Sequence, residues 1–562
     1  MITIDDKNIP LKDLIAVKAG QCLSIDNSQA SWYGHGFNHD QAWPLEEITN
    51  DKFAVNNIQS PLWMNCNGQA FLADTEAALQ VNFKDQEQLE ILCEKDFNLR
   101  YFEADNLAQL WQKLKNELGW QRPQIKDSLM GDAFFCTWTQ YPRAINQERI
   151  LEMAQEIRQY DYPCSTIVID DRWESCFGEL EFGKDFPEPQ KMLQQLHDMG
   201  FQVLLWVTPF VNCESKYFKE LENQQVLVPH IEGEQAATFR WWGGTAGLVD
   251  LSRTSGKDWY KNKLLTLKEM GVDGFKIDGG DAKYMPAQEI ANWDLDPSAY
   301  SDLLLEIFEE IAPGNCESRA AWMSQNRNII WRLGGKDSHW GEDNGLKALL
   351  NLSLHLSLCG YDALIPDMIP GRVQTMNSDD PLVTDELMVR WTEISCFMPF
   401  VQFSYFPWNY CESTERVIHG LAKVHKALEA YLAESAKDHS APLIRPLELA
   451  FPNSGYEKIG DQYLLGPDLM ICPVLDPGHK QRKAIFPNSD FVDAWTGNAM
   501  DAGEIIIDTP CPGIGLFINK QNKALYNTLK PVLKNIARAS VKSGTCTSQH
   551  KCGLNRDLNV TG

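Results

Sequence analysis

With 562 residues, 44% of them hydrophobic and 10% aromatic, the chain is long enough to bury a large core and too long for one compact domain. Its 51 Lys and Arg stand against 77 Asp and Glu, and the resulting net charge of -26 repels phosphate backbones and anionic lipid, which argues against nucleic acid and membrane surfaces as partners. The acidic excess is spread along the chain and reads as a solvated surface.

The first residues, MITIDDKNIPLKDLIAVKAG, hold no basic segment followed by an apolar core, and no run of about eighteen apolar residues occurs, so neither a signal peptide nor a membrane span is expected. Fifteen cysteines are scattered singly, several in apolar runs (Cys359, Cys396, Cys472), without a CxxC pair. That pattern fits reduced core thiols and a cytoplasmic setting. Cys546, His550 and Cys552 have metal-binding chemistry but sit in a polar terminus that reads as an unstructured tail, so no metal is expected.

Residues 1–125 carry short apolar-alternating runs, Phe53-Ala-Val, Ala70-Phe-Leu-Ala and Leu89-Glu-Ile-Leu-Cys, broken by Gly, Asn and Asp; this predicts an N-terminal antiparallel β-sandwich. Trp32-Tyr-Gly-His-Gly and Gln41-Ala-Trp-Pro-Leu mix aromatic and polar residues as a domain interface does, and a loop there can overhang a neighbouring site.

From 126 to 438 strands and helices alternate. Strands are predicted at Ala133–Trp138, Ser165–Asp170, Phe201–Val207, Gly274–Asp278, Cys316–Arg319, Asn328–Arg332, Ala363–Asp367 and Phe400–Tyr405, with helices at Gln147–Tyr160, Pro189–Met199, Leu346–Leu358 and Glu386–Met398. The fold class is therefore α/β, a (β/α)8 TIM barrel with a long insertion after the third strand, about Asn212 to Leu251. Residues 439–525, with Gln462-Tyr-Leu-Leu and Glu504-Ile-Ile-Ile-Asp, form a C-terminal β domain, and 526–562 read as a helix-like segment and polar tail. Flanking β domains leave room for a homo-oligomer without fixing its symmetry.

In a parallel barrel, polar residues at the strand ends sit at the mouth where chemistry occurs. Here they are Trp138, Asp170, Asp171, Trp206, Lys276, Asp278, Arg319, Trp340, Asp343 and Asp367. Paired carboxylates suit glycosidic bond cleavage and tryptophans suit sugar faces, although carboxylate-rich mouths also hold divalent metals. Lys276 precedes Asp278 by two positions on one strand, so both face the same side and the ammonium is expected to keep Asp278 ionised. Asp343 lies between Trp340, Glu342 and the helix beginning at Leu346; burial by the indole and repulsion from other acids are expected to raise its pKa, as a general acid requires. His339, beside it, reads as a structural hydrogen-bonding residue, Trp259 as a helix-packing one, and Phe403–Trp408 either borders the pocket or seals the barrel.

Phe275-Lys-Ile-Asp-Gly-Gly, His339-Trp-Gly-Glu-Asp-Asn and Tyr463-Leu-Leu-Gly-Pro-Asp-Leu-Met-Ile-Cys-Pro-Val together resemble glycoside hydrolase family 31. Ile169-Asp-Asp, Phe177-Gly-Glu-Leu-Glu-Phe, Leu205-Trp-Val-Thr-Pro-Phe-Val-Asn, Arg240-Trp-Trp-Gly-Gly, Lys336–Asp343 and Pro366-Asp-Met-Ile-Pro-Gly are similar to its myogenesis-regulating glycosidase branch. The resemblance implies a retaining α-glycosidase without a cofactor, with Asp278 as nucleophile and Asp343 as general acid/base. It further implies that Asp170, Asp171, Lys276, Arg319 and Trp340, with Trp206, Trp242 and Asp367, line the sugar pocket; Trp138, at the end of the first strand, is a further substrate-binding candidate. Glu342 stands where the α-glucosidase pattern has Gly, and Ile169-Asp-Asp-Arg replaces Asp-Ile-Asp-Tyr; α-galactosidase activity in the branch makes galactose the first expectation. An α-glucosidase or other α-hexosidase, a catalytically silent sugar-binding protein and a metal-dependent barrel hydrolase are the rival readings.

Overall fold

A computed structural model of the chain describes residues 2–26, 30–37, 42–45, 48–52, 57–84, 88–142, 144–233, 235–287, 290–372 and 383–536. Phe53-Ala-Val and the tail with Cys546, His550 and Cys552 lie outside the described residues.

The N-terminal region folds as two sheets, to which it contributes six and five strands, the second being completed to six by a strand from the barrel domain. Alternation drives them together: Leu14–Val17 and Cys22–Asp26 bury every second residue, and Leu23, Ile25, Leu89 and Ile91 of one sheet share a core with Trp63, Phe71 and Leu99 of the other. The sandwich is tied to the barrel in two ways. Ala321–Trp322, from the loop after the fifth barrel strand, pairs in parallel with Ile58–Asn65. Trp32–Gly36, carrying the aromatic Trp-Tyr-Gly-His-Gly motif, packs on the barrel helix Leu346–Leu358: the Gly34 N–H donates to His355 Nδ1 at 3.1 Å, His355 Nε2 meets the Ala42 carbonyl at 2.8 Å, and Tyr33 stacks on Trp43 at 4.5 Å. Burial pulls the His355 pKa down to about 4, which keeps this ring neutral and in one tautomer. The motif is thus the domain interface expected of it.

The barrel sheet contains nine strand segments, all paired in parallel. In chain order they are Ala133–Cys136, Cys164–Ile169, Gln202–Val207, Gly274–Ile277, Cys316–Ser318, Ile330–Arg332, Leu364–Ile365, Met368–Ile369 and Gln402–Phe403. The sheet's two end segments, Leu364–Ile365 and Met368–Ile369, are halves of one strand broken at Pro366-Asp367, where Asp367 takes φ 69°. One half pairs with the sixth strand and the other with the eighth, so the break closes the barrel and leaves eight positions around it. Helices follow the expected periodicity: Gln147–Gln159 is capped by Asn146, and Asp385–Ser395 by Thr384, one residue earlier than the apolar pattern indicates. The aromatic run after the eighth strand seals the outside of the barrel: Phe403 and Phe406 are buried, and Trp408 stacks on Tyr160 at 5.1 Å while donating to Glu156 at 3.0 Å.

The insertion after the third strand is ordered rather than loose. Phe210–Asn212, Thr238–Trp241 and Gly244–Leu248 form a small antiparallel sheet, locked by Trp241 Nε1 donating to Asn212 Oδ1 at 2.8 Å. The C-terminal domain is a five-stranded sheet with the strand pair Gln481–Phe486 and Gly503–Asp508, followed by the helix Lys523–Asn535. No described helix is long and apolar enough to cross a membrane, and the twelve described cysteines other than Cys22 are free thiols.

Candidate active site

Asp278 stands one residue beyond the fourth barrel strand, at the C-terminal mouth. Two glycines follow it because the chain turns sharply there: Gly279 and Gly280 both have φ 79°, and a Cβ on them would come within 2.7 Å of the Phe210 ring and 2.6 Å of Leu304. The carboxylate accepts from Trp206 Nε1 at 2.8 Å, pairs with Arg319 Nε at 2.5 Å and lies 3.7 Å from Arg332 Nη2. Burial pushes its pKa up, but the two guanidinium groups, the indole donor and, least, Lys276 outweigh it, so Asp278 is held below the usual carboxylate range. Its side chain keeps 16% exposure toward the mouth, so an ionised acid is presented there.

The support expected from Lys276 goes elsewhere. Lys276 does face the barrel interior on the same side as Asp278, but its ammonium pairs with Asp170 at 2.8 Å and lies 3.6 Å from Glu317. A strand's two-residue period fixes the face, whereas the partner is set by what crosses the barrel at the same height. Glu317 is fully buried and joins three strands: Gln402 Nε2 donates to it at 2.7 Å, and Arg332 Nε lies 3.2 Å away.

Asp170 is buried, accepts the Asp171 N–H at 2.9 Å and receives the Cys136 thiol at 3.1 Å. Asp171 lies closer to the surface of the site; burial first, then the charge of Asp170, push its pKa up to about 7. Arg319 bridges Asp278 and the buried Asp281, the latter at 3.0 Å, and its guanidinium carbon sits 5.3 Å from the Trp242 ring. Trp242, 46% exposed at the tip of the insertion, contacts Tyr284 edge to face at 5.1 Å, so it forms one wall of the mouth. Trp138 and Trp340 are half-buried.

Three expectations need correction. Trp206 is 1% exposed and stacks on Trp241 at 6.5 Å; its ring is core, and only its N–H serves the site. Asp367 is fully buried and is spent on the Lys336 N–H at 2.7 Å, with Arg332 Nη1 3.6 Å away, so it props the floor instead of facing a sugar. Asp343 is 77% exposed, so Trp340 does not bury it as expected. Its neighbour is His339, whose Nδ1 accepts the Gly341 N–H at 3.0 Å and stands 3.8 Å from Asp343 Oδ1, the structural role read for it. A Cβ at Gly345 would stand 2.6 Å from the His339 carbonyl oxygen, so that position needs glycine, whereas at Gly341 a Cβ would meet the movable carboxylate of Asp343.

Arg332, Glu317, Gln402, Asp281 and the pair Lys336–Asn344 were not singled out by the sequence reading. Their signal was there: Arg332 and Gln402 are polar residues inside short runs otherwise apolar, Ile330-Trp-Arg and Phe400-Val-Gln-Phe. Among the described residues no group of three or more His, Cys, Asp or Glu side chains is arranged to hold a metal ion.

Comparison with known proteins places these features in a family. Residues 130–433 match the model of the glycosyl hydrolases family 31 TIM-barrel domain, more than half of the chain, and residues 440–522 match the glycosyl hydrolase family 31 C-terminal domain. The mouse myogenesis-regulating glycosidase is 34% identical over 388 residues, 67% of this chain and 54% of its own, and the 1,3-alpha-isomaltosidase of Kribbella flavida is 27% identical over 62% of this chain and 51% of its own. The chain thus spans about half the length of these relatives. The SITS-binding protein of Tetronarce californica is 24% identical over 92% of this chain and 77% of its own. A family 31 alpha-xylosidase from a soil metagenome, solved with xylose, shares the fold with a TM-score of 0.78 at 21% identity, over 91% of this chain and 81% of its own. The barrel, the C-terminal domain and the ordered motifs agree: the chain belongs to glycoside hydrolase family 31.

Proposed function

We propose that the chain is a retaining, exo-acting α-glycoside hydrolase that releases a terminal α-linked hexose, with galactose as the sugar. The observation that carries the reading is the state of Asp278: an acid at the barrel mouth, kept ionised by Arg319, Arg332 and the Trp206 N–H, with one face still open. That is what an attacking carboxylate needs.

In the proposed reaction Asp278 attacks the anomeric carbon while Asp343 gives its proton to the leaving oxygen, so the glycosidic C–O bond breaks as the ester forms. Asp343, now ionised, takes a proton from water, whose oxygen displaces Asp278 and restores the α configuration. The exposed setting of Asp343 suits the second half, since water must reach it, and an aglycone docked against Trp242 and Trp340 would supply the burial that favours the protonated acid in the first. Retention requires the two carboxyl groups to close to about 5–5.5 Å around the bound sugar, and about 6.5 Å or more speaks for inversion. Galactose is supported by the resemblance of the Arg240-Trp-Trp and Lys336–Asp343 motifs to the myogenesis-regulating glycosidase branch; named relatives also include an alpha-glucosidase, alpha-xylosidases and a sulfoquinovosidase.

A panel of aryl α-glycosides tests the sugar, with the α-galactoside expected to turn over best. Asp278→Asn is expected to abolish turnover while the protein stays folded; full activity in that variant refutes the assignment. Binding of sugar with no product from any member of the panel would instead favour a silent sugar-binding protein.

A further inference from the structure

Asp343 stands on a loop whose two ends meet at a buried cation. Lys336 is 1% exposed, and its ammonium donates to Asn344 Oδ1 at 3.0 Å. Asn344, the residue after Asp343, takes φ 73° and turns its Nδ2 back to the Gly335 carbonyl at 2.9 Å and to Asp337 Oδ2 at 3.2 Å. The Asp337 N–H closes the loop on the Asn344 carbonyl at 2.9 Å, and Arg372 grips Asp337 Oδ1 through Nε at 2.9 Å and Nη2 at 2.7 Å. Toward the N-terminal domain the same ammonium lies 4.8 Å from the centre of the Phe37 ring.

An apolar side chain would fill this space without the cost of burying a charge. Burial pulls the Lys336 pKa down to about 8, against Asp367 and Asp337, which pull it up. These are the charged groups that face it: Asp337 from the loop, itself paired with Arg372, and Asp367 from the broken seventh strand, 3.6 Å from Arg332. The cation is placed where it fixes geometry, at the hinge between the acid's loop, the barrel floor and the sandwich.

We propose that Lys336 is a positioning residue for acid catalysis, which through Asn344 holds the 337–344 loop so that Asp343 addresses the leaving oxygen, and which through Phe37 ties that loop to the N-terminal domain. The inference rests on the reading of Asp343 as the acid/base.

Two α-glycosides of one sugar separate positioning from mere structure: a 2,4-dinitrophenyl glycoside, whose leaving group needs no proton, and a methyl glycoside, which needs one. Lys336→Met is expected to lower kcat/KM on the methyl glycoside by on the order of 10²-fold and on the dinitrophenyl glycoside by about threefold or less. Asn344→Gly, which keeps the positive φ and removes the acceptor, is expected to show the same split. Asp343→Ala serves as the reference. If it splits the substrates and the Lys336 and Asn344 variants do not, the positioning role is overturned and the acid assignment stands; if Asp343→Ala shows no split, the acid assignment fails and the proposal with it. Amide exchange gives a readout independent of turnover: protection across 337–345 is expected to fall about tenfold in Lys336→Met, and in the wild type to fall between pH 7 and 9 as the ammonium loses its proton, with no such pH dependence in the variant. Unchanged protection overturns the proposal.

Discussion

Arg319→Met isolates what keeps the candidate nucleophile charged. Arg319 lies 2.5 Å from Asp278 and 3.0 Å from Asp281, whose side chains are 16% and 0% exposed; methionine retains the apolar length and deletes the shared cation. Removing one partner of a buried ion pair costs about 3–5 kcal/mol. Asp281, already pushed upward by its burial, is expected to take up a proton first, and Asp278 then keeps Arg332 at 3.7 Å, the Trp206 and Gly279 N–H donors and the weaker pull of Lys276. An Asp beside an Arg is depressed by about 1–3 units, so its loss raises Asp278 by about that much. The sign follows from the depressed wild-type value: the ionised pair contributes stability above the ordinary carboxylate range and loses it only as the pH falls through the lower folded-state value. In Arg319→Met, stability at neutral pH falls and the acid limb of kcat/KM moves to higher pH by about 1–3 units. The assay is a pH series of kcat/KM on an aryl α-galactoside beside urea unfolding at neutral pH. A plateau that drops while the acid limb stays in place would show that Arg319 does not set the charge of Asp278.

Asp171 titrates in the opposite direction. Its folded-state pKa of about 7 lies above the unfolded value, so the folded state binds the extra proton and stability declines as the pH rises from about 4 to 7; Asp171→Asn should flatten that decline in urea unfolding at a few pH values, and an unchanged slope would count against it. Gly341→Ala places a methyl group against Asp343 Oδ1 and 3.1 Å from His339 Nδ1. Because Asp343 is an exposed end that can move, the variant is expected to melt like the wild type but to lose about 10-fold to 100-fold in kcat/KM on poor leaving groups; normal kcat/KM would show that the acid does not need its present position.

The barrel was legible because most of its strands are short apolar runs that stop at a polar residue, and that stop is also where the site begins. Asp278, Arg319, Asp170 and Asp171 were found this way, and the structure brings them around one mouth. What escaped was every relation across the barrel. Nothing local to Lys276 says that Asp170, more than a hundred positions earlier, is nearer to it than Asp278, and nothing in Ile330-Trp-Arg says that Arg332 reaches Glu317, Asp278 and Asp367 at once. Trp206 was misread for a related reason: an indole at a strand end stacks on a sugar or on its own insertion, and only the folded insertion with Trp241 decides which. The exposure of Asp343 depends on a loop built from Gly341, Asn344 and Gly345, whose backbone conformation is not an apolar pattern at all.

The central claim is that Asp278 forms a bond to the sugar. Incubation with 5-fluoro-α-galactosyl fluoride, followed by peptide mass spectrometry, tests it most directly, because the ring fluorine slows both steps while the anomeric fluoride, a good leaving group, keeps formation of the ester faster than its hydrolysis. The account predicts one fluorosugar per chain, carried by Asp278 and absent from Asp278→Asn. A label on another carboxylate, or release of the β anomer from an α-galactoside by an enzyme that accumulates no label, would contradict it.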